Sequence, residues 1–237
     1  GSAAVSVCGL WLFTLLAGAA PSVLRSAVMF TAIVVGNCIS KKTPLINNLA
    51  ASAFILLCVD PYWLWDLGFI LSYTALLSIA IFNKPVYQLF VAKNKIVDAV
   101  WKLNAVTLSA QILTMPVIIY NFGQFPNLFL LTNFIAVPLS SVVLMGEIAL
   151  CCVSHFEQVA YMVGEVLSAM IRLMDNAIMF IDRFHFSTTR GLEISFIQVA
   201  LLYVFIGCMS YWLLPGKKHG LYAALLTAIV FFAVGAF

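Results

Sequence analysis

Charge is what this sequence has least of: Asp, Glu, Lys and Arg make up 9% of its 237 residues. A soluble domain carries about 25% charged and about 45–50% apolar residues, whereas 64% of this chain is hydrophobic. Its polar side chains are too few to cover a globule of this size, so a water-soluble fold is excluded and the solvent is lipid. A net charge of +3 is too small to mark a nucleic-acid binder by itself. Alternation of apolar and polar residues with period two is absent, which argues against a β-barrel.

Motifs that carry chemistry are equally scarce. There is no H-E-x-x-H, no G-x-S-x-G and no P-loop. His155, His185 and His219 fall between the apolar runs, and Asp60 and Asp66 share one turn instead of facing each other from separate helices as an aspartyl dyad would. The six cysteines (Cys8, Cys38, Cys58, Cys151, Cys152 and Cys208) have no C-x-x-C pair and no His at ligand spacing, and read as small buried hydrophobes. Adjacent Cys151 and Cys152 point about 100° apart on a helix, so they cannot share a metal. The expectation is a protein that is not an enzyme, with no metal and no cofactor. The lack of an initiating Met and of a signal peptide leads us to expect a piece of a larger protein.

What is present is a succession of apolar runs, about 3–20, 23–39, 45–59, 67–82, 103–120, 127–153, 158–182, 193–214 and 221–237. A bilayer core takes about 20 apolar residues per helix, so the chain reads as an all-α, polytopic membrane protein with about 7–9 transmembrane segments. If each run crosses once, the stretches 40–44, 83–102, 154–157 and 215–220 share a side. All eight lysines (Lys41, Lys42, Lys84, Lys93, Lys95, Lys102, Lys217 and Lys218) fall there, which makes that side the cytoplasm. Arg183 and Arg190 fall on the other side, mixed with Asp182 and Glu193. Pro138 removes a backbone hydrogen bond near the middle of 127–153, and this run is expected to kink or to split into two re-entrant half-helices. Run 45–59 is short and stops at Asp60-Pro61. Broken segments expose backbone only beside protein or a water-filled cavity, which points to a transport path.

Polar residues within the runs are patterned. Asn104, Thr107, Gln111 and Thr114 recur at i, i+3, i+7 and i+10, one face of a helix, for interhelical hydrogen bonds or for a wet lumen. Gln158, Glu165 and Arg172 repeat every seven residues, and Asp175, Asn176 and Asp182 extend that side. A charge at the bilayer centre costs about 2.5–3.5 kcal/mol, so these groups should pair or face water. Arg172 and Asp175 are spaced to pair locally. The helix either lines a pore or lies in the interface. Arg25, near a helix start, is expected to snorkel to head groups, and Glu147 would protonate if buried alone.

Residues 60–73 form a Pro-containing turn with two acids, at which Trp63, Trp65, Phe69 and Tyr73 cluster. For the two tryptophans alone, an interfacial belt is the ordinary reading. Other short motifs surround it in order: Pro21-Ser22-Val23-Leu24-Arg25-Ser26-Ala27-Val28-Met29, then Asn48-Leu49-Ala50 with Asp60-Pro61, then Gly68-Phe69-Ile70-Leu71-Ser72. Ser109-Ala110-Gln111, Met115-Pro116, Phe122-Gly123-Gln124 and Asn133-Phe134-Ile135-Ala136-Val137-Pro138-Leu139 follow. Together they resemble the membrane competence domain of ComEC-type DNA-uptake channels, strongly over 10–140 and weakly over 141–237. Ile70 stands where that family's motif has Gln, and Lys41-Lys42 where it has Gly-Arg.

The resemblance implies one membrane-embedded domain over 1–237. It would carry single-stranded DNA across the bacterial cytoplasmic (inner) membrane during natural transformation, beside other uptake proteins and compatibly with a homo-oligomer. The family's soluble nucleic-acid-binding and metallo-β-lactamase-like domains are absent from these residues. Arg25, Asn48, Asp60, Asp66, Ser72, Gln111, Asn133, Glu165 and Arg172 are the candidates for the DNA path or its scaffold. A single strand needs cations for phosphates and aromatic faces for bases; with Arg25 and Arg172 alone inside the membrane, a polar and weakly charged pore is expected. The alternative is a small-molecule secondary transporter with a midplane site at broken helices, for which no inverted repeat is visible.

Overall fold

The computed structural model describes residues 2–16, 18, 21–38, 44–90, 94–153, 155–184, 186–213 and 218–235. Its helices are α1 (Ser2–Leu16), α2 (Pro21–Cys38), α3 (Leu45–Val59), α4 (Leu67–Gln88), α5 (Lys95–Phe122), α6 (Phe129–Val153), α7 (Glu157–Asp182), α8 (Phe196–Leu213) and α9 (Lys218–Gly235). A 3-10 turn, Pro61–Trp65, joins α3 to α4. Strands β1 (Gln124–Pro126) and β2 (Thr188–Arg190) form a short antiparallel pair, Gln124 opposite Arg190. The all-α reading holds, helix for apolar run.

Among the described residues, α4, α5, α6 and α8 are long and apolar enough to cross a membrane. Ala4–Leu16, Val23–Gly36, Leu45–Val59 and His219–Gly235 are shorter apolar stretches. The 15 residues of α3 rise only about 22 Å, short of a hydrocarbon core of about 30 Å. The interruption in the fold therefore lies at α3, the 3-10 turn and α4. It does not lie at Pro138, because α6 runs unbroken through that proline; the split into half-helices is not observed. Cys8, Cys58 and Cys151 are exposed and Cys208 is half-buried, instead of buried as expected. In lipid, a small apolar side chain loses nothing by facing outward. The side chains of Cys38 and Cys152 lie outside the described residues.

Most of the basic stretch, 83–88 and 95–102, is also helix and not loop. Helix α4 continues through Pro85 to Gln88, and α5 starts at Lys95, capped by Asn94, whose side chain accepts from the Ile96 N–H at 2.9 Å. Asp98 explains the extra turn. It pairs with Lys102 at 2.7 Å and accepts from the Tyr87 hydroxyl at 2.5 Å, while the Trp101 indole donates to the Tyr87 carbonyl at 2.9 Å. Lys84, Lys95 and Lys102 flank this hairpin; Lys41, Lys42, Lys93, Lys217 and the side chain of Lys218 lie outside the described residues.

Helix α5 is the hub, touching α4, α6, α8 and β1. Mid-helix it receives two cross-links. The fully buried Ser78 hydroxyl of α4 donates to the Ser109 carbonyl and accepts from the Leu113 N–H at 3.2 Å. It thus bonds both groups that a regular helix would pair with each other. The Tyr203 hydroxyl of α8 donates to the Leu113 carbonyl at 2.9 Å.

Neighbouring side chains fix the ends of the bundle. The start of α4 (Leu71), the end of α5 (Ile118, Phe122) and Arg190 border one cavity. Gly123, Ser195 and the end of α9 (Val234, Gly235) border another. The last turns of α4 and α8 meet at the opposite end. Helix α7 lies antiparallel along α6, with Gly146 against Leu167 and Thr132 near Ile178. It therefore runs beside a candidate span from end to end, and does not lie across the bundle as an interfacial helix would.

Candidate functional site

The polar turn after α3 is built by two aspartates acting as consecutive caps. Asp60 accepts from the Tyr62 N–H at 2.9 Å, with Pro61 in the first turn, where its missing N–H costs nothing. Asp66 Oδ1 accepts from the Phe69 N–H at 2.7 Å and starts α4. The same oxygen receives Arg25 Nη1 of α2 at 3.3 Å.

Arg25 is 4% exposed, so it does not snorkel to head groups: an Asp two elements away holds it inside. Its Nε makes no hydrogen bond among the described residues. Gly68 leaves the room this pair needs, since a Cβ there would stand 3.1 Å from Asp66 Oδ1 and 3.3 Å from Arg25 Nη2. Beneath lies a core of Val28, Leu56 and Phe69, with Trp63 and Tyr73 packed against it. Trp65 is 81% exposed; the two tryptophans have parted, one to the core and one to the surface. Ser52 and Tyr73 share a hydrogen bond at 3.0 Å between α3 and α4.

Of the remaining candidates, Ser72 donates to the Gly68 carbonyl one turn above this pair. Asn48 is half-buried on α3, one turn before Ser52 and on the same face. Gln111 is half-buried on α5, with Nε2 buried and unpartnered among the described residues. Its stripe neighbours Asn104 and Thr114 donate to carbonyls of their own helix, at 3.1 and 3.0 Å. Asn133 is half-buried near the start of α6. Glu165, Arg172 and Asp175 are exposed along α7, and Glu147 is exposed on α6. The ion pairs among the described residues are Arg25–Asp66 and Lys102–Asp98, so the expected Arg172–Asp175 pair does not form. Both of these side chains point outward, where nothing holds them together.

The structure thus gathers Arg25, Asp66 and Ser72 at one junction, with Asp60 in the adjoining turn, and leaves Gln111, Asn133, Glu165 and Arg172 on separate helices. Two features escaped sequence reading. One is the Ser78 cross-link, which is one serine among many apolar residues. The other is the row Phe180, Phe184 and Phe186, interleaved with Arg183 and Arg190, whose signal was present in the sequence as aromatic and basic residues alternating after α7.

Apolar helices of spanning length, with shorter apolar helices packed beside them around a buried ion pair at a helix break, define a polytopic helical membrane protein. The family model described as "Competence protein" matches residues 2–216, and the chain belongs to that family. It is similar to "ComE operon protein 3" of Bacillus subtilis (strain 168), with 30% identity over 139 residues, 58% of this chain and 17% of that protein. The matched stretch therefore spans less than a fifth of that relative's length. No solved structure matches it.

Proposed function

We propose that this chain is the membrane passage of a DNA-uptake protein. It admits one DNA strand through the bacterial cytoplasmic membrane in natural transformation, with no catalysis of its own. Other uptake proteins, and further copies of the chain, are its proposed partners. Membership of the competence family and the relative's name support the uptake role.

One geometric observation carries the passage reading. Helix α7 runs antiparallel to α6 and presents Glu165 and Arg172 on its exposed surface without ion pairs. At 1.5 Å per residue these groups stand about 12 and 22 Å from the start of α7, within the thickness of a bilayer core. Bare lipid would penalise each by about 2.5–3.5 kcal/mol, so this face turns to water or protein. The Gln111 amide nitrogen adds a polar group inside the bundle on α5, buried and unpartnered among the described residues. A lumen of such sparse charge favours sliding over tight capture, because each neutralised phosphate adds salt-dependent affinity. The carrier alternative needs helices broken at midplane in paired repeats; α6 runs unbroken, and the break between α3 and α4 has no inverted counterpart visible in the sequence.

The test uses the full-length parent in cells. Cysteines placed at Glu165 and Arg172, in a background lacking the native cysteines, should react with a membrane-impermeant maleimide. Gln111→Leu and Arg172→Leu should lower uptake of labelled DNA at unchanged membrane levels. Unreactive cysteines together with normal uptake would overturn the passage.

A further inference from the structure

The segment that follows α7 carries a structure that the passage does not use. Phe180, Phe184 and Phe186 are 63%, 44% and 62% exposed. Their rings touch in a row without lying parallel: Phe180 meets Phe184 edge-on at 5.6 Å and 84°, and Phe184 meets Phe186 tilted by 41° at 6.1 Å. Phe184, Arg183 and Arg190 border one open cavity of about 430 Å³ with Asp182, Ser187 and Thr188. Both arginines are exposed, and neither makes an ion pair among the described residues.

The segment is held in place. Asn127 donates to the Phe186 carbonyl at 2.9 Å and to the Thr189 hydroxyl at 2.8 Å, and its N–H donates to the Ser187 carbonyl at 2.8 Å. The β1–β2 pairing fixes Arg190 opposite Gln124. Ser187 ties Asp182 back by donating to its Oδ1 at 3.2 Å. Arg183 caps the C-terminal end of α7, where the helix dipole alone repels anions; two guanidiniums offset it.

Exposed aromatic rings beside cations are the elements by which proteins hold single-stranded nucleic acid: bases stack on the rings and phosphates meet the arginines. We propose that Phe180, Phe184, Phe186, Arg183 and Arg190 form a receiving platform for single-stranded nucleic acid at the end of the bundle away from the Lys84–Lys102 hairpin. The proposal rests on the passage reading for its place in uptake, but not for its binding. Phenylalanine, unlike the tryptophan and tyrosine of interfacial belts, has no polar tip to seat at head groups, and free guanidiniums around the central ring suit a polyanion.

The experiment measures fluorescence anisotropy of a labelled oligo-dT 20-mer on the full-length parent in nanodiscs of zwitterionic lipid, across a salt series. Variants are compared in a background where other nucleic-acid-binding domains of the parent are present throughout. Phe184→Leu with Phe186→Leu keeps the apolar bulk and removes the rings; it should weaken binding roughly five- to hundred-fold, at an unchanged salt slope. Phe184→Tyr should retain binding. Arg183→Gln with Arg190→Gln should reduce the salt slope by about 1.4, that is about 0.7 for each phosphate no longer neutralised.

Unchanged affinity and slope in both double variants would overturn the platform, as would a parent that does not bind the oligomer. A third overturning result is unchanged oligomer binding with weakened partition onto anionic vesicles, which would make the segment a lipid anchor. Failure here leaves the passage standing if Gln111→Leu still blocks uptake. Failure of the passage leaves the platform standing if the Leu variants still lose the oligomer.

Discussion

The α2–α4 junction and the α6–α7 pair handle polar groups in opposite ways. At the junction, Arg25 is buried against Asp66, Ser52 against Tyr73, and both aspartates cap backbone. Along α6 and α7, Glu147, Glu165, Arg172 and Asp175 are exposed with no ion pair among the described residues. Polar groups paired within the chain hold a shape, and apart from the unpartnered Arg25 Nε they have little left to offer a passing strand. Exposed groups without a counter-charge in this chain are left for water, nucleic acid or a second copy. Residues of similar chemistry thus divide into scaffold and candidate path.

The sharpest way to break this comparison is to unpair the junction. Asp66→Asn keeps an acceptor for the Phe69 N–H but leaves Arg25 buried without a counter-ion. Breaking a buried pair costs about 3–5 kcal/mol, and the low end applies here because Asp66 is 43% exposed. Thermal unfolding in detergent should show the loss. Adding Arg25→Met should restore part of it, because the orphaned charge disappears. If the single variant unfolds at the temperature of the parent, Arg25 is not held by Asp66 and the junction is no scaffold.

Close packing at glycine gives the next effect. A Cβ on Gly220 would meet the Trp212 nitrogen at 2.8 Å and the Cys208 carbonyl oxygen at 2.9 Å, both backbone atoms that cannot swing aside. Gly220→Ala should therefore separate α8 from α9, at a cost of about 1–3 kcal/mol in line with overpacking. At Gly146 the obstacle is the Leu167 side chain, so Gly146→Ala should cost less and Leu167→Ala should relieve it. Equal effects at the two glycines would show that the α6–α7 contact is as rigid as the α8–α9 one. Ser78→Ala, which removes the link into α5, comes next at about 0.6 kcal/mol, the average for such bonds in membranes.

Helix positions were legible in the sequence because lipid leaves one signal, the apolar run, and Pro44, Asp60 and Gly123 punctuate it. Continuity through Pro138 and the helical form of 83–88 and 95–102 were not. The first depends on how α6 absorbs one missing hydrogen bond, the second on Asp98 finding Tyr87 and Lys102 in space. For the same reason Arg25 read as a snorkelling residue: its partner is 41 positions away, and no local spacing announces it. Asp66 was legible as important, but its double duty as cap and counter-ion was not. Glu165 and Arg172 stand out in a seven-residue repeat, and the structure adds that they do not pair.

The smallest expected effect on stability belongs to that repeat. Glu165→Gln and Arg172→Gln remove charges that touch no counter-charge among the described residues, so unfolding should shift by no more than about 0.5 kcal/mol. Uptake should respond differently, and with a sign. Arg172 is an exposed cation on α7; losing it weakens attraction for phosphates, so Arg172→Gln should slow labelled-strand uptake. Losing the Glu165 carboxylate removes repulsion, so Glu165→Gln should speed it or leave it unchanged. Both differences should shrink as salt rises from about 10 to about 150 mM, because the screening length falls from about 30 Å to about 8 Å. The opposite order, with Glu165→Gln slower than Arg172→Gln, would mean that these side chains face another copy of the chain instead of the strand, and α7 would then join the scaffold side of the comparison.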